Sequence, residues 1–156
     1  MINTEDQKTL LKLIADYLKR NITCMAIGGT AMMFEGYKAV TKDIDLVFKS
    51  EKDRNEFVDA IIILGYRQKP LQNIYDDKRI QSKDKPLLFS RGEERFDLFV
   101  NNVFGMKIVF EDFEKRFDFI GKKELTLLMP RKEIIVLMKS VTNRRKDFED
   151  IVDIVK

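Results

Sequence analysis

The sequence alternates short apolar runs with stretches whose apolar residues recur at helical spacing. Runs such as Cys24–Ile27 and Leu46–Phe48 have the length and composition of buried strands, whereas Leu10, Leu11 and Ile14 mark one face of a helix. Strands that alternate with helices favour an α/β sandwich, in which helices cover one or both faces of a sheet. The predicted order of elements is α-β-α-β-α-β-β-β-α-α, so the chain is expected to end in a short helical piece.

Capping and turn residues predict where individual elements begin and end. Thr4 and Gln7 have the spacing of a capping box for the first helix, which Asn21 is expected to close. The other expected elements are strands at 24–27, 43–48, 86–89, 95–100 and 124–128, a Gly28-Gly29 turn, helices at 30–34, from Ser50 to Gly65, from Pro130 to 141 and from 143, a loop or hairpin at 68–85, and one or two helical turns at 110–117.

The length and composition indicate a compact protein with a real core. A chain of 156 residues, of which 44% are apolar, fits one domain. We expect this domain to comprise a core at about residues 22–128 and C-terminal helices at about 130–155. The net charge of +3 is compatible with an anionic substrate but does not require a nucleic-acid partner.

The absence of histidine restricts the chemistry that the sequence can perform. Ser-His-Asp and Cys-His catalysis are excluded, as are zinc sites with imidazole ligands. The single cysteine, Cys24, permits neither an intrachain disulfide nor a cysteine zinc cluster, and its apolar neighbours indicate a buried position. Catalysis must therefore depend on carboxylates, lysine, arginine, backbone amides or a metal ion held by oxygen atoms.

The sequence shows no signal for membrane insertion or export. No window reaches the roughly 18 consecutive apolar residues that a membrane span requires. The opening residues from Asn3 to Asp6 lack the basic and then apolar pattern of a signal peptide. We therefore expect a cytoplasmic protein without a membrane partner.

The most informative segments are the Gly28–Thr30 turn and, after a short helix, the acidic pair Asp43 and Asp45. Residues i and i+2 of a strand lie on the same face, so the two carboxylates should project together. Such a pair suits Mg²⁺, which prefers hard oxygen ligands, and a glycine turn lets backbone amides approach phosphates. Taken singly, an acidic pair is more often an exposed edge and a glycine pair a tight turn. The order of the segments along the chain favours function.

A two-metal site needs a third carboxylate, and Asp97 is the best candidate. It interrupts an otherwise apolar strand, and a buried carboxylate requires a cation as its partner. The alternative interpretation is an ion pair between Asp97 and Arg95 or another cation. Asp84 and Asp118 are weaker candidates because their surroundings resemble loops.

Basic residues cluster near the start of the last expected helix. Lys139, Arg144 and Lys146 lie where the helix dipole does not favour cations, which is understandable if a triphosphate binds nearby. The alternative is a solvated face in which Lys146 pairs with Asp150 one helical turn away.

These segments together resemble the signature of the DNA polymerase β-type nucleotidyltransferase superfamily. The Gly28–Thr30 turn followed by Asp43 and Asp45 is similar to its defining motif, and the ending from Lys139 to Asp150 is similar to the AbiEii-like branch, which includes toxins of toxin–antitoxin systems. The resemblance spans roughly residues 22–153. It implies an α/β (α+β) nucleotidyltransferase fold with a mixed central sheet flanked by helices. It also implies Mg²⁺- or Mn²⁺-dependent transfer of a nucleoside monophosphate from an NTP to an acceptor hydroxyl.

The resemblance assigns roles to individual residues. Asp43, Asp45 and Asp97 match the metal ligands and catalytic acids. The nucleotide-binding residues that it implies are Gly28, Gly29, Thr30, Lys42, Lys139, Arg144, Lys146 and Asp147. One position departs from the pattern, since Ala39 stands where relatives often carry an arginine, with Lys38 beside it as a possible substitute.

Three functions are compatible with this sequence. An active nucleotidyltransferase would modify RNA (such as tRNA), a protein or a small molecule, and as a toxin it would have a cognate antitoxin protein as partner. A catalytically inactive nucleotide-binding or antitoxin-like module would keep the fold without turnover. An aminoglycoside-type nucleotidyltransferase would modify an antibiotic. The complete set of three acids favours an active enzyme over an inactive module.

Overall fold

The protein has a mixed α/β architecture, as the sequence predicts. The structure, a computed structural model, describes residues 2–37, 40–41, 43–71, 85–142 and 154. A seven-stranded mixed sheet forms its centre, and helices pack against it. The expected division into a core and C-terminal helices stays a prediction.

The described residues form four helices and eleven strands. The helices are α1 (Thr4–Ala15), α2 (Gly28–Phe34), α3 (Glu51–Ile63) and α4 (Lys132–Thr142). The strands are β1 (Ile2–Asn3), β2 (Ile22–Ile27), β3 (Val40–Thr41), β4 (Asp43–Phe48), β5 (Arg67–Lys69), β6 (Leu87–Arg91), β7 (Glu94–Val100), β8 (Asn102–Val103), β9 (Met106–Lys107), β10 (Lys115–Ile120) and β11 (Glu124–Met129).

The central sheet has the strand order β10-β11-β2-β4-β7-β6-β5. β11 and β2 are parallel, as are β4 and β7, and the other neighbours in the sheet are antiparallel. β4, which begins with the acidic pair, therefore lies in the middle of the sheet between β2 and β7.

Side chains that alternate along β4 divide the core between the two faces of the sheet. Ile44, Leu46 and Phe48 are fully buried in the larger cluster, together with apolar residues of α1 and α3. Val47 points to the opposite face. There it joins a second cluster with Met25, Ile27, Phe99, Val103, Ile108, Phe110, Leu128 and Met138. The second face is thus covered by the segment after β7 and by α4.

The N-cap of the first helix lies one residue earlier than predicted. Asn3, not Thr4, is the N-cap: its side chain accepts a hydrogen bond from the amide of Asp6 at 2.9 Å, and the Asp6 carboxylate completes the capping box. Gln7 is fully buried and takes no part in the cap. The helix ends at Ala15 and not near Asn21, because the chain turns there to enter β2.

Several other boundaries are confirmed. The strand at Asp43–Phe48 is as predicted, and Ser50 caps α3 by accepting a hydrogen bond from the amide of Asp53 at 3.1 Å. Gly65 follows the end of α3 with a φ of 96°, the left-handed conformation expected after a helix. β6 and β7 correspond to the strands predicted at 86–89 and 95–100, and they pair as an antiparallel hairpin across Gly92.

The expected helical turns at 110–117 are wrong. Residues 115–120 form β10, which pairs with β11 along its whole length. Phe117 and Phe119 alternate there with Arg116 and Asp118, and this period of two belongs to a strand. Pro130 precedes α4 rather than opening it, since the helix starts at Lys132. Gly28 and Gly29 belong to the first turn of α2.

Most of the predicted loop at 68–85 and the helix predicted from residue 143 lie outside the described residues. Ile154 is described, and its side chain is 2% exposed within the larger core cluster. Within the described ranges, no helix is long and apolar enough to cross a membrane.

The position of the first N-cap gives a stability prediction. We expect Asn3→Ala to lower the free energy of unfolding by about 0.5–2 kcal/mol, because the amide of Asp6 loses its acceptor. Thr4→Ala should cost less, since Thr4 occupies the first helical position and not the cap. Urea denaturation of both variants measures the difference. A larger loss in the Thr4 variant would contradict the assignment of the cap.

Candidate active site

The three predicted acids lie on one face of two neighbouring strands. β4 and β7 run parallel, and their register sets Asp45 opposite Asp97 and Asp43 opposite Arg95. All four residues share the face of Val47, opposite to α1 and α3, because side chains on a strand alternate between its faces. The sheet thus brings together acids that are more than fifty positions apart in the sequence.

The acids differ in their exposure to solvent. The side chain of Asp97 is only 2% exposed, whereas that of Asp43 is 21% exposed. Asp45, opposite Asp97, is half-buried. The cluster therefore extends from the interior of the sheet to the surface.

The guanidinium of Arg95 links two of the three acids. Its Nε donates to Oδ1 of Asp97 at 2.7 Å, and its Nη2 donates to Oδ2 of Asp97 at 3.2 Å and to Oδ2 of Asp43 at 2.9 Å. The ion pair between Arg95 and Asp97, foreseen as the alternative to a metal partner for Asp97, is therefore present. The bond to Asp43 could not be foreseen, because it depends on the register of β4 with β7.

The neighbouring acids affect the pKa of this arginine. Burial by itself lowers the pKa of Arg95, but the charges of Asp97, Asp43 and Asp45 and the hydrogen bonds to Asp97 raise it by more. The net effect is a pKa above the ordinary value of arginine.

Gly28 leaves the space in which the carboxylate of Asp45 lies. A Cβ atom at position 28 would stand 2.6 Å from Oδ2 of Asp45, which is too close for any real contact. Gly28 also has a φ of 57°, a left-handed conformation that other residues adopt at a cost. The motif glycine is required at this point for both reasons.

Thr30 holds the backbone of the acidic strand. Its side chain is fully buried, and Oγ1 donates to the carbonyl of Asp43 at 3.2 Å and accepts from the amide of Asp45 at 3.0 Å. Ile27, the last residue of β2, is the register partner of Asp45, so the hydroxyl supplies partners where that strand ends. The sequence resemblance implies that Thr30 binds the nucleotide, and it does not indicate this structural role. Its predicted contact with nucleotide stays a prediction.

Thr41 fixes the entry to the same strand. Its buried hydroxyl lies 3.2 Å from the carbonyl and 3.4 Å from the amide nitrogen of Asp43. Thr41 also pairs with Ile2, since β3 forms a small antiparallel sheet with β1.

The donor chemistry of the site fits a hard divalent cation. Asp43, Asp45 and Asp97 offer only carboxylate oxygens, which Mg²⁺ and Mn²⁺ prefer. Among the residues that the structure describes, however, no group of three or more acidic side chains forms a ready metal site. Arg95 uses carboxylate oxygens of both Asp43 and Asp97, the same oxygens that a shared cation would need.

The other predicted site residues are described in part or not at all. Gly29 is buried in the first turn of α2, next to Gly28. Lys139 belongs to α4, but its side chain lies outside the description. Predicted residues beyond the described ranges are Lys42, Arg144, Lys146 and Asp147, with the weaker candidate Asp84. Asp118, the other weak candidate, lies on β10 at the edge of the sheet, where it pairs with Arg116.

Comparison with known proteins identifies the family of this chain. A family model described as "Nucleotidyltransferase of unknown function (DUF6036)" matches residues 5–155. The chain belongs to this family. The predicted nucleotidyltransferase superfamily is thereby confirmed, and the protein is a transferase enzyme. A sequence search of curated proteins finds no match.

Solved structures agree with this fold assignment. A crystal structure of ANT(2″)-Ia in complex with adenylyl-2″-tobramycin has a TM-score of 0.55 and 18% sequence identity, with 96% of this chain and 87% of that chain covered. A solution structure of the antibiotic-resistance factor ANT(2″)-Ia has a TM-score of 0.55 and 19% identity, with coverage of 96% and 83%. At this identity the likeness shows the fold, and the predicted nucleotidyltransferase fold is confirmed.

The space above Gly28 leads to a prediction with a matched control. Gly92 has a φ of 60°, close to that of Gly28, but no atom lies within 4 Å of its added Cβ. We expect Gly92→Ala to cost about 1–2 kcal/mol of unfolding free energy, from backbone strain alone. Gly28→Ala should cost more, because the methyl group also displaces the Asp45 carboxylate. Equal losses in urea denaturation would show that Asp45 moves freely.

The hydrogen bonds between the Thr30 hydroxyl and the backbone of β4 can be tested without an activity assay. Thr30→Val keeps the shape of the side chain but removes the acceptor of the Asp45 amide, which should cost about 1–3 kcal/mol of stability. The Asp45 amide should also exchange its hydrogen faster, as NMR would measure. Thr30→Ser retains the hydroxyl and should leave this exchange slow. If the Val and Ser variants exchange equally, the hydroxyl does not hold the strand.

Proposed function

We propose that this nucleotidyltransferase moves a nucleoside monophosphate from an NTP to an acceptor hydroxyl with the help of Mg²⁺ or Mn²⁺. The hydroxyl oxygen bonds to the α-phosphorus, the bond between the α- and β-phosphates breaks, and pyrophosphate leaves. The observation that carries the proposal is the register of β4 with β7, which sets Asp45 beside Asp97 on the face that also holds Asp43. The match of the family model over residues 5–155 supports the same reaction class.

Asp43, Asp45 and Asp97 are the residues that would hold the metal. A divalent cation bound there supplies positive charge for the triphosphate and favours ionisation of the attacking hydroxyl. Asp43 and Asp45 come from one strand, so in our proposal they face the triphosphate. Asp97 comes from the neighbouring strand, and we place it beside the acceptor hydroxyl, where its carboxylate orients that hydroxyl and accepts its proton.

The turn between β2 and α2 is the proposed binding place for the phosphates. Gly28 lies directly against the carboxylate of Asp45, so a phosphate near its backbone would also be near the acids. Gly29 follows it in the same helical turn. Thr30 fixes the position of β4 relative to this turn through its hydrogen bonds to the backbone of β4.

The remaining nucleotide-binding residues are proposed from the sequence resemblance. They are Lys42, Lys139, Arg144, Lys146 and Asp147, and their side chains lie outside the described residues. The lysine and arginine side chains of this set would pair with the anionic oxygens of the triphosphate.

Two classes of acceptor follow from different observations. The resemblance of the C-terminal residues to the AbiEii-like branch supports a macromolecular acceptor, RNA or protein, and a role as a cytoplasmic toxin with a cognate antitoxin. The likeness to ANT(2″)-Ia, determined with adenylyl-2″-tobramycin, favours a small acceptor of the aminoglycoside class as the second candidate. The three acids on one face favour either class over a nucleotide-binding module without turnover.

Transfer of label from an NTP tests the function. The protein is incubated with each α-³²P-labelled NTP, Mg²⁺ or Mn²⁺, and separate pools of total RNA, cell protein and aminoglycosides. We expect one pool to gain label. Asp97→Asn should reduce the rate at least about 100-fold, because the group that accepts the proton is lost. It should leave NTP binding largely intact, whereas Asp45→Asn should lose both transfer and metal-dependent NTP binding.

Asp118→Asn is the matched control for Asp97→Asn. Both acids sit two residues after an arginine on a strand and accept a hydrogen bond from its Nε, but Asp118 lies on the edge strand β10. Its substitution should leave transfer unchanged. A fully active Asp97→Asn variant would remove Asp97 from the mechanism. A wild-type protein that binds NTP and labels no pool would favour the binding-module alternative.

A further inference from the structure

The acids of the proposed site already hold a cation that belongs to the protein. Arg95 makes two hydrogen bonds to Asp97, of 2.7 and 3.2 Å, and one to Asp43, of 2.9 Å. Both oxygens of Asp97 and one oxygen of Asp43 are engaged in this way. These are oxygens that a divalent cation would need as ligands.

Electrostatics explains why a cation is needed there. Asp45 and Asp97 are direct neighbours on strands that lie about 4.8 Å apart, and Asp43 follows on the same face. Carboxylates at such distances repel each other, and burial strengthens the repulsion because less water screens them. The planar guanidinium of Arg95 offsets part of this charge, and its fixed fork sets the positions of both acids that it contacts.

We propose that Arg95 is a positioning residue that acts as an internal counter-cation: it holds Asp43 and Asp97 together before the metal arrives, and it must release them when the metal binds. The inference rests on the proposed transfer site at Asp43, Asp45 and Asp97. In this role Arg95 opposes metal binding by the free protein, because it occupies the carboxylates. It also stabilises the arrangement of Asp43 and Asp97 that the metal needs.

Competition for the same oxygens has a consequence for the order of binding. A metal ion alone must displace the guanidinium without offering it a new partner, so it should bind weakly. An NTP brings anionic phosphate oxygens to the same face, and the released guanidinium can pair with them. Metal and NTP should therefore each strengthen the binding of the other.

The chain contains a natural control for this arginine. Arg116 stands two residues before Asp118 on β10, and its Nε donates to Oδ1 of Asp118 at 2.9 Å, much as Arg95 does to Asp97 at 2.7 Å. The side chain of Asp118 is 38% exposed, against 2% for Asp97, and its strand lies at the edge of the sheet. Substitution of Arg116 removes the same kind of ion pair at a distance from the acids of the site.

The test is a titration of the 156-residue chain with Mn²⁺ in the absence of nucleotide, in which electron paramagnetic resonance measures the bound Mn²⁺. We expect Arg95→Gln to bind Mn²⁺ about 10- to 100-fold more tightly than the wild type, because a charge-assisted competitor is removed. Arg116→Gln should bind as the wild type does. Without metal, Arg95→Gln should melt at a lower temperature than the wild type, and Mn²⁺ alone should restore it.

The direction of the change separates positioning from general structural damage. A variant whose site is merely deformed would bind Mn²⁺ less tightly, so unchanged or weaker binding by Arg95→Gln would overturn the proposal. If that variant does not fold, Arg95→Lys keeps the charge but loses the fork, and it should bind Mn²⁺ with a smaller gain over the wild type. Unchanged or weaker binding by a folded Arg95→Lys would be equally decisive against competition.

A further comparison distinguishes failure of this inference from failure of the proposed function. Wild-type protein is titrated with Mn²⁺ in the presence of NTP, and Asp45→Asn is titrated in parallel. Binding that depends on Asp45 supports the metal site whatever Arg95 does. If no such binding exists, the proposed function fails, and the role of Arg95 as a competitor of the metal fails with it.

Discussion

The parallel pairing of β4 with β7 is the constraint on which the site depends. A slip of one residue in this register would send Asp97 to the opposite face of the sheet, away from Asp43 and Asp45. The apolar residues of both strands prevent such a slip, because Ile44, Leu46, Phe96 and Leu98 must all enter the core beneath α1 and α3. Burial of one face of the sheet therefore positions the charged groups on the other face.

Neighbouring residues supply the acidic face with a positive charge, hydrogen-bond partners and space. Arg95 offsets the charge of Asp43 and Asp97, and Thr30 supplies hydrogen-bond partners where β2 no longer provides them. Gly28 yields the volume that the carboxylate of Asp45 occupies. Each of these residues contacts the backbone or the carboxylates of the two acidic strands. Contacts within the chain therefore position the acids.

Sequence patterns predicted the parts of this site that depend on local spacing. The strand at Asp43–Phe48 and the common face of its acids follow from the period of two along one segment. The hydroxyl of Thr30 and the bond from Arg95 to Asp43 join residues 13 to 52 positions apart, and only the pairing of the strands brings them together. Strand β10 was missed for a similar reason. Its alternating residues identify a strand clearly only when they pair with β11.

The sequence Arg-Phe-Asp occurs twice, and the comparison shows where chemical function arises. Residues 95–97 and 116–118 place an arginine and an aspartate on one face of a strand, and in both the arginine Nε donates to Oδ1 of the aspartate. On the edge strand β10 the pair is joined by the buried Thr126 and by Glu124 in a partly exposed network. On the central strand β7 the same pair meets two further carboxylates, and the ion pair becomes part of a charged cluster at a glycine turn. The tripeptide supplies an ion pair, and its position in the sheet determines what that pair can do.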